Sequence, residues 1–532
     1  MTSTLQHPAL GTITGVSSDG VQQYLGVPYA SLAHRFAEPK LFEKFEGGSL
    51  DATKFGPSVV SHPDALKNQH DFLQDPLPLP NEPSPHSDTQ CLNLNISVPD
   101  GTTRTSKLPV LVFIHGGGFS LGSSCWPKYK LARIVKLSAD IGSPIIGVGI
   151  NYRLGAFGFL HSKELQDEGV KANNGLRDQQ TSLRWIKAFI SGFGGDAERI
   201  TAIGEMSLTL HLLSQEPLFK QMVDMSGTSL LLKPMPLPVA KFAYSQVAKC
   251  FSVESLGAKE RVQALLDAPM MGFPTKLPPS IPLLPLLDGD IISANLTFAE
   301  WGEANTVKNK VPGVSWCRKV MIGDCQFDGC MFGKLLPHPK EKIAQRFRET
   351  ASKILANHLD VALSLFEAYN ISECLTDEEA FQNILRFIND IAFYAPTTTL
   401  ARAWAPDRAY VYHFNELNPW EGPNKGEASH ALDIAFLFQN YNEFLSEKQR
   451  LAAVTFAKHV IAFANEQEPF RAYDAAAGKG AQTYGTPEEG CSLFVDGTEP
   501  GDYGRRDVIW KLAESVGLDQ LSAVFESFLL GV

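Results

Sequence analysis

The chain has 532 residues, 44% of them hydrophobic and 20% charged, which is enough apolar material for a large buried core. Its formal net charge of −11 and isoelectric point near 5.7 exclude the usual profile of a nucleic-acid or anionic-membrane binder, because both surfaces repel an acidic protein. No run approaches the roughly 18 uninterrupted apolar residues of a spanning helix, and Met1 to Pro8 lacks the basic and apolar blocks of a secretory leader, so the expected location is cytoplasmic.

From Gly11 to about Asp100, short β-rich segments alternate with Gly and Pro, and Pro76 to Asp88 reads as a long surface loop. Cys91 to Ile96 alternates like a strand, and Pro109 to Ile114 is a continuous apolar strand that runs into His115-Gly-Gly-Gly-Phe119. Adjacent glycines let backbone amides approach a ligand closely, since no side chain stands in the way. Ile145 to Tyr152 is a further strand. Asn174 to Lys187 has helical apolar spacing at Leu176, Leu183 and Ile186, and Phe193-Gly-Gly-Asp196 stops it. Beyond Ser226-Gly227 the chain is helical and punctuated by proline, with an amphipathic helix at Leu451 to Phe463 and a helical region from Asp507 to Val532. Alternating buried strands and helices predict an α/β fold, a large and mostly parallel central sheet covered by helices on both faces. With no internal repeat, low-complexity tract or linker, residues 1–532 read as a single domain.

The decisive stretch is Arg199 to Ser214. The apolar run Ile200 to Ile203 predicts a buried strand, Gly204 a sharp turn, and Leu208, Leu210, Leu212 and Leu213 the apolar side of a helix. Strand, glycine turn and helix make the layout of a nucleophile elbow, whose signature is G-x-S-x-G. Gly204 and Glu205 fill the first two positions, and Met206 then stands where the serine belongs.

These landmarks resemble the type-B carboxylesterase family, the cholinesterase-like α/β-hydrolases, and within it the intracellular members of fungal type. The resemblance runs from Leu25-Gly-Val-Pro-Tyr-Ala30 to about Trp510. Such proteins read G-E-S-A-G at the elbow, with about nine residues from the serine to a helix histidine. Here Met206 and His211 are five apart, so the resemblance implies that about four residues are missing after Glu205. It also implies that Gly117 and Gly118 donate to the oxyanion, that Asp328 in Gly323-Asp-Cys-Gln-Phe-Asp-Gly329 is the catalytic acid, and that His430 in Gly426-Glu-Ala-Ser-His-Ala-Leu-Asp433 is the general base. Asp324 competes locally with Asp328. Ser207 is a weak substitute nucleophile, because its flanking residues are Glu205 and Thr209 rather than glycines and one residue along a helix turns the side chain by about 100°. Secreted relatives close a disulfide on the cysteine matching Cys91; no cysteine precedes Cys91 here, so the bridge is expected to be absent.

The implied reaction is hydrolysis of a small-molecule carboxylic ester through a Ser-His-Asp acyl-enzyme, with no cofactor and no metal. As written, the sequence lacks the serine. Either the shortened elbow belongs to an otherwise active esterase lineage, as a gene-model artefact or an inactivated allele, or the chain is a pseudoenzyme that binds a partner.

Overall fold

The computed structural model describes residues 1–531 apart from 81–84, 335–339, 405–406, 475, 478, 486–491 and 496–506. The predicted loop Pro76 to Asp88 therefore lies partly outside the described residues.

The sheet is built from β1 (Thr2–His7), β2 (Gly11–Ser18), β3 (Val21–Pro28), β4 (Asn93–Pro99), β5 (Leu108–Ile114), β6 (Ile146–Ile150), β7 (Gly195–Gly204), β8 (Gln221–Met225), β9 (Lys319–Cys325), β10 (Ala409–Phe414), β11 (Ala481–Tyr484) and β12 (Ser492–Val495). Their spatial order is β1-β2-β3-β4-β6-β5-β7-β8-β9-β10-β11-β12, and the short strand Ser49–Asp51 adds to β2. From β6 to β11 every neighbour is parallel. Both flanks are antiparallel: β1–β2, β2–β3 and β11–β12 are strands consecutive in sequence, which need no crossover, and β4 pairs antiparallel with both β3 and β6. The sheet is thus mixed, with a parallel centre.

Side chains on successive residues of β5 enter different cores. Val110, Val112 and Ile114 join one apolar cluster, Leu111 and Phe113 the other. This two-sided burial is what a parallel strand covered by helices requires. The strand expected at Cys91 to Ile96 is Asn93–Pro99, with Leu94, Ile96 and Val98 in one apolar cluster and the alternating Asn93, Asn95 and Ser97 buried as well. The covering helices that matter for the site are α1 (Ala65–Leu73), α2 (Ala132–Asp140), α3 (Asn174–Phe189), α4 (Ser207–His211), α5 (Leu432–Leu437) and α6 (Glu447–Ala464). α6 is longer than Leu451 to Phe463, starting one turn earlier behind a capping box of Ser446 and Gln449.

One buried ion pair ties α3 to the loop after β6. Arg153 Nη2 lies 2.7 Å from Asp178 Oδ1 and Arg153 Nε donates to Asp178 Oδ2 at 2.8 Å, with both side chains shut from solvent. The two parallel donors match the carboxylate fork, which offsets part of the cost of burying both charges.

Candidate active site

In a parallel sheet the loops after the strands gather at one edge, where side chains from distant segments converge. Here the loops after β5, β7, β8, β9 and β10 do so.

The loop after β5 carries His115 to Phe119. Gly117 has φ +113°, and a Cβ there would stand 2.2 Å from the Leu121 carbonyl oxygen, so only glycine fits. Gly118 (φ +58°) opens into free space, and Phe119 (φ +59°) is held in the left-handed region although it has a side chain. Strain of this kind persists only where surrounding structure imposes it. His115 stacks on Tyr152 at 4.6 Å, and burial brings its imidazole pKa down to about 4, so it is neutral.

After β9 the chain enters a 3-10 turn at Asp328. Phe327 bridges to Ser429, and the Phe327 amide donates to the Ala428 carbonyl at 2.9 Å. This docks the Asp328 turn on the His430 loop, although the two residues are 102 apart in sequence. His430 Nδ1 donates to Asp328 Oδ1 at 2.7 Å, and Asp328 Oδ2 accepts from the Cys325 amide at 2.7 Å. Burial lowers the proton affinity of His430, but the hydrogen bond and charge of Asp328, with Glu205 and Asp433 beyond, more than offset it, and the imidazole pKa is raised. Ala431, directly after His430, is also left-handed at φ +67°.

Asp324, the local competitor, is engaged elsewhere. It faces His413 across the β9–β10 register, and His413 Nδ1 lies 2.6 Å from Asp324 Oδ1. The sequence offers no sign of this second pair, because it is created by strand register. Nor does it show the Tyr412 hydroxyl donating to Asp433 at 2.8 Å.

The turn after β7 is the remaining part of this edge. Strand β7 ends at Gly204, where a Cβ would meet the Ile114 carbonyl oxygen at 2.7 Å. Met206 follows with φ −40° and ψ −35°, a relaxed right-handed conformation, and starts α4. A nucleophile elbow holds its serine on a sharp, strained turn; Met206 is instead in the right-handed helical region. The predicted helix lasts only from Ser207 to His211, and Met206 (6% exposed) and Leu208 pack into the core. Ser207 is buried at the first helical position. Its neighbour Glu205 presses its carboxylate against Gly116, where a Cβ would come within 2.0 Å of Oε1. Burial raises the Glu205 pKa, Asp328 adds to that, and His430 and Lys128 oppose it.

Several buried polar atoms near this edge have no hydrogen-bond partner among the described residues: His115 Nε2, Ser429 Oγ and both carboxyl oxygens of Asp224. Asp224 sits opposite Gly204 in the β7–β8 register. Burial and the Glu205 charge push its pKa far up, outweighing the nearby Gly227 amide. The seven described cysteines are free thiols, Cys91 among them, and burial raises the Cys91 pKa to about 12.

Parallel-centred sheet, glycine loop, strand–turn–helix at Gly204 and His–Asp pair in this chain order define an α/β-hydrolase. The chain belongs to the Carboxylesterase family, whose model matches residues 2–485. It is 28% identical over 484 residues to Lipase 3 of Yarrowia lipolytica, covering 88% of this chain and 89% of that one. It is also 28% identical over 491 residues to the para-nitrobenzyl esterase of Bacillus subtilis, covering 86% and 90%. A solved PNB esterase structure superposes with a TM-score of 0.70 over 93% of this chain and 98% of that one, at 23% identity. The lineage is therefore one of carboxylic ester hydrolases. Among the described residues, no helix is long and apolar enough to cross a membrane.

Proposed function

We propose that this chain is a carboxylic ester hydrolase whose nucleophile-bearing segment has been removed, and that as written it does not turn over esters. The observation that carries the reading is the 2.7 Å bond from His430 Nδ1 to Asp328 Oδ1, retained beside an elbow that presents Met206. With its Nδ1 proton on Asp328, His430 keeps the Nε2 lone pair for a nucleophile's proton, and the carboxylate stabilises the imidazolium that results. A thioether has no proton to give. Gly117 and Gly118 would donate to the oxyanion, and the amide that follows the serine would complete the set. The implied substrate is a small carboxylic ester, in keeping with relatives that are a lipase and a para-nitrobenzyl esterase. The partnerless His115, Asp224 and Ser429 atoms support a missing segment, because buried polar groups in intact sites are hydrogen-bonded.

A second reading is a non-catalytic binding protein. It is favoured by the settled packing of Met206 and Leu208, which leaves the core closed around the shortened turn.

The test is to insert Ser-Ala-Gly-Ala between Glu205 and Met206. The insertion returns a hydroxyl for His430, an oxyanion amide, and a glycine that lets helix and strand pack closely. Hydrolysis of a short-chain aryl ester and labelling by a fluorophosphonate probe are measured on both chains. The chain as written should show neither above background, and the repaired chain both, with labelling lost when the inserted serine becomes alanine. Labelling of the unrepaired chain at Ser207 would refute the missing nucleophile. A folded but inert repaired chain would favour the binding protein.

A further inference from the structure

The helix Asp377–Asn389 turns one face toward both loops of the His–Asp pair. Leu385, Arg386 and Asn389 share that face, since residues three and four apart are neighbours on a helix. Arg386 spans the two loops. Its Cζ stands 3.7 Å from the ring centroid of Phe327, directly before Asp328, and its Nη2 donates at 2.6 Å to Glu427 Oε1, in the loop that carries His430. A flat guanidinium can stack on a ring and pair with a carboxylate at once, which an ammonium cannot. The Arg386 and Glu427 side chains are 27% and 36% exposed, so the ion pair adds little to stability. What it fixes is the spacing of the two loops.

Asn389 holds the other side of the same turn. It is buried, and its Oδ1 accepts at 3.1 Å from the amide of Gly329, directly after Asp328. Its Nδ2 donates to Asp390 Oδ1 at 3.3 Å, and Asp390 Oδ2 accepts from the Tyr369 hydroxyl at 2.8 Å. Because the Asp390 carboxyl takes the amide's NH2 group, the amide oxygen is left facing Gly329. The turn lies flush on the helix: a Cβ on Gly329 would stand 2.3 Å from the Leu385 carbonyl oxygen. The helix then passes into a π turn, Asp390–Tyr394, which sets the Phe393 ring 5.8 Å from that of His430. Such turns are rare and are frequent at functional sites.

We propose that Arg386 and Asn389 are positioning residues of the hydrolase site: they clamp the Asp328 turn and the His430 loop to one helix face, and so set the 2.7 Å distance from His430 Nδ1 to Asp328 Oδ1. The inference rests on His430 and Asp328 being the site's base and acid. The two residues are 102 apart in sequence and both sit on turns, so their distance is only as fixed as the structure behind them. A site of this kind has to be held to about 0.5 Å by its supporting contacts. Loosening the clamp weakens the bond, and His430 then keeps less of the proton affinity that Asp328 gives it. Loss of the Arg386 cation acting directly would raise that affinity instead, so the direction of the shift separates the two routes.

The test uses the chain as it exists, carrying nitrogen-labelled histidine, with the His430 signals assigned by their loss in His430→Ala. A proton in a short imidazole–carboxylate bond resonates far downfield of the backbone amides. In Arg386→Met and in Asn389→Leu that proton should move upfield or vanish. The His430 titration midpoint should fall by about half a pH unit or more, a fraction of what one charge-assisted hydrogen bond contributes. Glu205, Asp433 and the Cys330 thiol, which also face His430, are untouched in both variants. Asn383→Ala, which breaks a bond from the same helix to the Asn370 carbonyl, should move neither readout. A folded Arg386→Met or Asn389→Leu that keeps the parent's proton signal and midpoint would overturn the proposal. So would a midpoint that rises in Arg386→Met, or an equal shift in Asn383→Ala. Should Asn389→Leu not fold, Arg386→Met decides, because its side chain is partly exposed. A parent chain without the downfield proton would overturn the His430–Asp328 pairing and the clamp with it. Neither readout needs a nucleophile, so an inert repaired elbow would leave the result standing.

Discussion

Asp224→Asn is the substitution whose consequence can be worked furthest from the structure. Asp224 is fully buried, opposite Gly204 in the register, with neither carboxyl oxygen in a hydrogen bond. Its folded pKa lies far above the ordinary 3.8, through burial first and the Glu205 charge second, whereas the unfolded chain ionises it normally. The sign follows. Above pH 4 the unfolded state releases a proton that the folded state retains, so this group costs the fold stability increasingly as pH rises. The slope for one proton is about 1.4 kcal/mol per pH unit for as long as the folded carboxyl keeps its proton. Asparagine has nearly the same shape and does not titrate. Urea unfolding of both chains at pH 4, 5.5 and 7 should show the smallest gain at the first and a gain that rises from there by up to about 1.4 kcal/mol per unit. A gain that does not grow with pH would refute the reasoning, since the folded and unfolded chains would then ionise Asp224 alike. In the chain with the repaired elbow the gain should shrink if the restored amides reach this carboxyl.

Three further outcomes are expected. His430→Ala should leave ester hydrolysis by the chain as written unchanged, since no hydroxyl awaits the base; a drop of about a hundredfold, the scale of losing a general base, would reveal another working nucleophile, Ser207 first. Reducing and non-reducing gels should show one mobility, because the described cysteines, including buried Cys91, are unpaired; a shift on reduction would contradict this. Asp178→Asn should cost about 3–5 kcal/mol in urea unfolding, as it strands the buried Arg153 charge, and a loss below about 1 kcal/mol would show that water reaches the guanidinium.

Much of the hydrolase was legible before any coordinate. The apolar run Pro109 to Ile114, the triple glycine and the turn at Gly204 are local signals, in which neighbouring residues set strand, turn and helix. The shortfall from Met206 to His211 is also local, a matter of counting. The order of Asp328 and His430 could be read through the resemblance, because a family's motifs keep their order even when about 100 residues separate them. The backbone of Met206 was not legible: it takes a right-handed conformation at the start of α4, with φ −40° and ψ −35°.

What only the tertiary structure decided is which charges meet. Asp324 and Asp328 lie in one short motif, and sequence alone left them in competition. Strand register gives Asp324 to His413, and the Phe327–Ser429 bridge gives Asp328 to His430. Asp224 is placed opposite Gly204 by the β7–β8 register. Lys128 is buried because Gln69 on α1 and the rings of Trp126 and Tyr129 enclose its ammonium. The physical reason is common to all of these. Secondary structure follows from interactions along the chain, whereas burial and pairing of charge depend on segments brought together from far apart, and the sequence does not print those distances.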